Sequence, residues 1–136
     1  MTGDVVKLER HRVPRLSLLL PLPPSTNQLY RNVRGVGRVK TKAYKTWCYE
    51  AGHLLNRQSS AVFLGPVAIS VIVRLKGRVR DLDNLLKAPL DLIGPNGHGI
   101  IRQDSSDILQ ELQIRVTTDE REGIAPGWMR LQIERL

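Results

Sequence analysis

The sequence predicts one small domain of the α/β (α+β) class, in which helices form a single layer on a small mixed β-sheet. Three observations predict it. The chain has 136 residues, and its 41% hydrophobic and 25% charged residues are typical of a globular domain. Segments with strand and helix periodicity alternate along it. No repeat or linker divides it, so we expect one domain over residues 1–136, with 1–14 as a flexible N-terminal extension.

The first half of the chain predicts a strand, a loop and a helix. A short apolar run at 16–22 predicts a buried strand. Residues 25–39 are polar and contain glycine and arginine, which predicts a loop that is mobile at 33–39. Apolar positions three or four apart predict an amphipathic helix over 41–57, with Thr41 as its N-cap.

The second half predicts three strands and one helix. Alternating Val, Ile and Leu predict a strand over 67–75. Residues 82–93 are predicted to form a helix, kinked by Pro89 and ended by a Gly-Pro-Asn-Gly turn. Two further strands are predicted near 112–116 and at 128–133, joined by a loop.

Composition argues against a disulfide-stabilised protein, a zinc protein with cysteine ligands and a membrane-spanning protein. The single cysteine, Cys48, cannot form an internal disulfide and has no His or Cys at zinc-ligand spacing. The longest apolar run is far too short to span a bilayer. We therefore expect a cytoplasmic protein that does not bind membranes.

Charge is unevenly distributed along the chain. The net charge is +8, and residues 25–80 contain eleven Lys and Arg with Glu50 as their only acid. Residues 81–136 contain six basic and ten acidic residues. This excess of positive charge is typical of a protein that binds a polyanion such as nucleic acid, although a generally basic solvated surface is the alternative.

Acidic residues cluster at the start of the second predicted helix. Asp81 and Asp83 are two residues apart, so their side chains converge only if the chain turns from extended to helical between them. A helix that begins there would place Lys87 on the same side as Asp83, four residues earlier. This arrangement would bring two carboxylates and an ammonium group to one place.

Such a group suits Mg²⁺, which prefers carboxylate ligands and leaves positions for water and substrate phosphate. The ion would lower the pKa of an attacking water, and Lys87 would stabilise charge at a phosphodiester. We expect Asp104 to supply a third carboxylate, with Asp107 in reserve. The alternatives are that Asp81 or Asp83 caps the helix and that Asp83 and Lys87 form an exposed ion pair. Asp91 is expected to be solvated.

The segment Arg-Asp-Leu-Asp-Asn-Leu-Leu-Lys-Ala at 80–88 resembles the signature of the RusA-type crossover junction endodeoxyribonucleases, small phage-derived Holliday junction resolvases. Two weaker segments occur in the family's order. Residues 23–31 resemble its N-terminal loop, and residues 99–105 resemble the segment with its last catalytic carboxylate. Together these segments cover most of residues 16–116.

The resemblance implies a homodimer that uses Mg²⁺ to cut two opposed strands of a four-way DNA junction, in recombination and repair. It implies that Asp81, Asp83 and Asp104 bind the metal and that Lys87 is the essential lysine. The family usually has two acids where this chain has Gln103 and Asp104. The DNA-binding residues that it implies are Ser25, Thr26, Asn27, Gln28, Arg78 and Arg80.

Basic and aromatic residues between 25 and 49 predict contacts to the DNA backbone and to unpaired bases. The basic residues are Arg31, Arg34, Arg38, Lys40, Lys42 and Lys45, and the aromatic ones are Tyr30, Tyr44 and Tyr49. Trp47 is expected in the core. Two alternatives stay open: a non-catalytic nucleic-acid-binding module, and a phage replication nuclease with other preferred branches.

Overall fold

The computed structural model describes residues 14–59 and 61–136. The predicted flexible extension at 1–14 lies almost entirely outside the described residues. The helices and strands, in chain order, are β1 (Arg15–Pro21), β2 (Tyr30–Val33), β3 (Gly37–Lys40), α1 (Lys42–Gln58), β4 (Val67–Arg74), α2 (Lys87–Ile93), β5 (Leu109–Val116) and β6 (Trp128–Arg135). A single 3-10 turn, Asp83–Leu85, precedes α2.

One mixed sheet organises the fold, in the strand order β1-β6-β4-β5. β4 and β5 are parallel, whereas β6 is antiparallel to both β1 and β4. β2 and β3 form a separate antiparallel hairpin. The predicted α+β class, with helices on a mixed sheet, is confirmed.

The core lies between the helices and one face of this sheet. Val71 is 1% exposed at its centre, and Leu18 and Leu131 continue the same row on β1 and β6. Trp47 is 4% exposed and donates a hydrogen bond of 2.9 Å from its indole Nε1 to the Pro21 carbonyl, which joins α1 to β1. Neither helix of the described residues has the length and apolar character needed to cross a bilayer.

Helix α1 begins as predicted. The Thr41 hydroxyl accepts a hydrogen bond of 3.2 Å from the Tyr44 amide, which satisfies one of the free N–H groups of the first turn. The buried face differs by one position from the prediction, because Tyr44 is buried and Ala43 is exposed.

The segment 25–39 contains more regular structure than predicted. Tyr30 pairs with Lys40 and Val33 with Gly37 in the β2–β3 hairpin, so the prediction of an irregular loop is wrong here. Gly35 has φ +80°, a left-handed conformation that glycine adopts without steric cost and that lets the chain reverse within three residues.

The second predicted helix is shorter than expected. The chain first makes the Asp83–Leu85 turn, and α2 begins only at Lys87. Pro89 therefore lies in the first turn of α2, where its missing N–H would have had no partner within the helix. The predicted kink does not arise, because Pro89 lies at a position that tolerates proline.

Candidate functional site

The predicted catalytic residues all lie on the connection between β4 and β5. Parallel strands need a long crossover, and here it spans residues 75–108. Asp81 and Asp83 lie on the turn after β4, and Lys87 begins α2. Asp104 lies in an exposed segment before β5. The crossover therefore carries every group that the sequence assigned to chemistry.

The Asp81 and Asp83 side chains are not helix caps. The Asn84 amide donates 3.2 Å to the Asp81 carbonyl, and the Leu86 amide donates 3.3 Å to the Asp83 carbonyl, so the backbone defines this turn. Leu82 and Leu86 occupy the N-cap positions of the 3-10 turn and of α2, and neither position has a side-chain cap. The capping alternative is therefore wrong, and both aspartates are exposed.

The N-terminal loop at 23–28 packs against this turn. The Thr26 hydroxyl donates a hydrogen bond of 3.0 Å to the Asn84 carbonyl. The Arg80 guanidinium donates 2.8 Å to the Pro23 carbonyl, across 57 residues of sequence. Burial of this guanidinium lowers the pKa of Arg80, and the neighbouring charge of Arg78 lowers it further. Two segments that are distant in sequence thus form one surface.

This surface contains a groove of about 420 Å³, which we call the loop groove. It brings predicted DNA-binding residues of both segments together with Asp81. Its lining residues are Pro23, Pro24, Ser25, Asn27, Gln28, Lys76, Arg78, Val79, Arg80, Asp81 and Asn84.

A second cavity of about 540 Å³, the α2 cleft, lies beside the first helical turn of α2. Two predicted catalytic residues, Lys87 and Asp104, line it, and so does Lys40, which was predicted to bind DNA. The remaining lining residues are Tyr30, Tyr44, Cys48, Asp91, Leu92, Gly94, Pro95, Asn96, Gly97 and His98.

Lys87 pairs with Asp91 in this cleft. Its ammonium Nζ lies 3.3 Å from the Asp91 carboxylate, so the predicted pairing with Asp83 is wrong. The reason is that α2 begins at Lys87, which leaves Asp83 outside the helix and places Asp91 one turn further along it. Asp91 is also less solvated than predicted. The spacing of four residues from Lys87 was the sequence signal that could have identified it.

The three predicted metal ligands do not form one set in the described chain. Within it, no three His, Cys, Asp or Glu side chains lie close enough together to hold a metal ion. Asp81 lines the loop groove and Asp104 lines the α2 cleft. The reserve candidate, Asp107, accepts a hydrogen bond from the Ser105 hydroxyl, which lowers the pKa of its carboxyl.

The acids instead occupy two separate regions of the crossover. Asp81 and Asp83 share the exposed turn, and Asp91 and Asp104 share the α2 cleft. Mg²⁺ is usually bound by one or two carboxylates, with water and substrate phosphate as its other ligands. The exposed carboxylates are therefore ligands of the type that Mg²⁺ accepts, whereas the predicted cage of three carboxylates is not formed in the described chain.

The basic residues predicted to bind DNA lie on the hairpin and the start of α1. Arg31, Lys40, Lys42 and Lys45 are all exposed. Lys40 lines the α2 cleft, and Arg78 and Arg80 line the loop groove, so each cavity has basic residues in its lining.

The three tyrosines between them differ in accessibility. Tyr44 is 2% exposed, so its ring is not accessible for stacking on a nucleobase. The same burial raises the pKa of its hydroxyl. The Arg38 guanidinium lies 4.1 Å from the centre of the Tyr30 ring and covers it. Tyr49 is 70% exposed, so it is the tyrosine best placed for stacking.

The sequence matches no model of a known protein family, and no curated protein matches it either. The resemblance to the crossover junction endodeoxyribonucleases therefore stays a prediction, and the geometry of the two cavities carries the functional argument.

Proposed function

We propose that the protein is an Mg²⁺-dependent endonuclease that binds four-way DNA junctions as a homodimer and cuts two opposed strands symmetrically. The observation that carries the proposal is the contact between the Asp81–Asp83 turn and the 23–28 loop, fixed by the bond from Thr26 to Asn84. This contact places Asp81 in the lining of the loop groove with Arg78 and Arg80, and Asp83 follows on the same exposed turn.

The combination of acids and arginines supports catalysis over binding alone. A DNA-binding groove gains nothing from exposed carboxylates, because they repel phosphate. A bound divalent cation reverses the local sign of such a cluster and turns repulsion into attraction. Since Asp81 and Asp83 do not cap a helix, a cation-binding role gives them a reason to be there.

The proposed roles follow from the positions of the side chains. Asp81 and Asp83 would hold Mg²⁺, and Asp104 would join them if DNA binding reorients the exposed segment 102–107. The ion supplies charge neutralisation at the scissile phosphate. Lys87 stabilises negative charge on that phosphate, and Arg78 and Arg80 bind the neighbouring backbone.

The homodimer follows from the symmetry of the substrate. A four-way junction offers two equivalent strands for cleavage, so two copies related by a two-fold axis can act on both. We further propose that the protein works in recombination and repair, in the cytoplasm and at the nucleoid.

A synthetic four-way junction tests the proposal. We expect the wild type to cut it symmetrically with Mg²⁺, and Asp83→Asn to lower the rate at least about 100-fold while junction binding is retained. Glu134→Gln is the matched control, because it also removes one exposed acid, but Glu134 lies on β6 and lines neither cavity. Cleavage by Asp83→Asn at the wild-type rate would contradict the assigned role.

The alternative is a branched-DNA-binding protein without activity. It is favoured by one observation, the separation of Asp81 and Asp104 into two cavities. Such a protein would shift the junction on a gel and never nick it. A nuclease with different selectivity would instead cut a replication fork or a flap faster than the four-way junction.

A further inference from the structure

The two edge strands of the sheet, β1 and β5, differ in what lies against their outward-facing backbone groups. At the β1 edge, the Leu19 amide donates 2.7 Å to the Gln58 side-chain oxygen, and the Gln58 Nε2 donates 2.7 Å to the Leu19 carbonyl. The last residue of α1 thus occupies the hydrogen-bonding position of a neighbouring strand. The β5 edge has no such cover within the part of the chain that the structure describes.

The alternation of backbone direction along β5 shows which of its N–H and C=O groups point away from β4. The Thr117 amide, directly after β5, donates 2.9 Å to the Val73 carbonyl of β4. Because backbone groups alternate in direction along a strand, those of Leu112, Ile114 and Val116 point away from β4. This edge is a template for another strand.

The same three residues form an apolar row that the fold covers incompletely. They lie opposite the core-facing residues of β4, for example Ile114 opposite Val71. Val71 is 1% exposed, whereas Leu112 is 40% exposed and Val116 is 43% exposed. The apolar face of the sheet therefore continues past the point where the helices cover it.

We propose that a second copy of this chain pairs with β5 as an antiparallel strand, about a two-fold axis through Gln113. In an antiparallel pair, two directly opposed residues either both point their backbone groups towards the other strand or both point them away from it. On two copies of one strand, opposed residues are therefore separated by an even number of positions. The two-fold axis must then pass through a residue and not between two residues. An axis at Glu111 or at Arg115 opposes like charges, which is destabilising. Axes at Leu112 or Ile114 leave both charges opposite neutral residues.

The axis at Gln113 is the register in which the charges complement each other. It places Glu111 opposite the partner's Arg115, and Arg115 opposite the partner's Glu111. It also places Leu112 beside the partner's Ile114, so the two incompletely covered apolar rows meet. Arg115 already binds the Glu122 carboxylate through its two terminal nitrogens, and its remaining N–H groups can reach a second acid.

This proposal specifies the interface of the homodimer in the proposed function, and it rests on that function only because the function requires a second copy. The location and the register come from β5 alone. The tests below measure association, so their failure and a failure of DNA cleavage are separate results.

Disulfide trapping tests the axis directly. In a Cys48→Ser background, Gln113→Cys places one thiol on the two-fold axis, where opposed Cα atoms would be about 4.5 Å apart. Disulfides form at Cα separations of about 4.4–6.8 Å. We expect mild oxidation to give a covalent dimer on a non-reducing gel. Ser70→Cys is the control, since Ser70 lies beside Gln113 but on the central strand β4.

Failure of Gln113→Cys to crosslink, or equal crosslinking by Ser70→Cys, would overturn the proposed register. Charge exchange gives a second measurement by sedimentation. Glu111→Arg should weaken dimerisation at least about tenfold by opposing like charges, and adding Arg115→Glu should restore it. An unchanged dimer in the Glu111→Arg variant would also overturn the proposal.

Discussion

The Thr26 hydroxyl donates a hydrogen bond of 3.0 Å to the main-chain carbonyl of Asn84, in the turn that carries Asp81 and Asp83. This contact ties the N-terminal loop to the candidate acids across the surface of the fold. The bond fixes the position of the loop relative to the turn, so under the proposed function it would align DNA bound by the loop with the acids.

Replacing Thr26 by valine should separate the loop from the turn. The variant keeps the shape of the side chain but removes the donor, so we expect the free energy of unfolding to fall by about 1 kcal/mol. Urea denaturation measures this, with Thr118→Val as the matched control, since Thr118 is exposed and lines neither cavity. Junction cleavage should fall by more than stability explains; equal activity in Thr26→Val and Thr118→Val would show that the contact does not align the site.

Lys87 should matter for rate more than for stability. Its partner Asp91 is 36% exposed and Lys87 itself 45%, and such ion pairs contribute about 0–1 kcal/mol. We therefore expect Lys87→Met to leave the melting temperature almost unchanged and to lower cleavage at least about 100-fold. Arg102→Met removes a cation from the same crossover and is the control. A comparable loss of activity in both variants would indicate a general charge effect.

Binding should depend steeply on salt. Each DNA phosphate neutralised by a basic side chain contributes about −0.9 to the slope of log affinity against log salt. We expect Lys45→Ala or Arg78→Ala to reduce that slope by about one unit, measured by fluorescence anisotropy at several salt concentrations. Arg15→Ala, on the distant strand β1, should leave the slope unchanged. A smaller slope in the Arg15 variant would place the DNA elsewhere.

Acid should destabilise the fold through Glu122. Hydrogen bonds from Arg115, and then from Thr117, lower the pKa of Glu122 from 4.5 to about 2. A carboxyl with a lowered pKa stabilises the fold above about pH 4.5, and this contribution is lost as the pH falls towards 2. Glu122→Gln should therefore melt below the wild type at pH 7 and approach it near pH 2. A difference in melting temperature between Glu122→Gln and the wild type that stays the same from pH 7 to pH 2 would contradict the assignment.

Gln58 should protect the β1 edge. Truncation to alanine removes both side-chain bonds to Leu19, so we expect a loss of about 1–2 kcal/mol by urea denaturation. Arg57→Ala, one residue earlier on α1, serves as the control. The Gln58 variant should also associate more readily at high concentration, because it exposes a second edge strand. An unchanged stability would mean that water replaces Gln58 without cost.

Sequence periodicity predicted the parts of the fold that the core determines. The alternation over 67–75 and the spacing over 41–57 each match an observed element within one residue at either end. Both patterns reflect burial, which repeats with the geometry of the element. The hairpin at 30–40 was missed because most of its side chains are exposed, so its pairing leaves little apolar pattern.

The candidate site was predicted less completely. The Asp81–Asp83 turn and Lys87 were identified from spacing, but the start of α2 was placed several residues too early. That single difference moved the partner of Lys87 from Asp83 to Asp91. Asp104 lies on an exposed segment whose position depends on distant contacts, and spacing along the chain carries no information about those.

The acids and the lysine belong to the crossover, and none of them belongs to a strand of the sheet. A descendant of this protein could therefore lose every one of them and keep the sheet and its core. Under the proposed function, such a descendant would still occupy DNA junctions and would shield them from cutting, and shape alone would not distinguish it from a working enzyme.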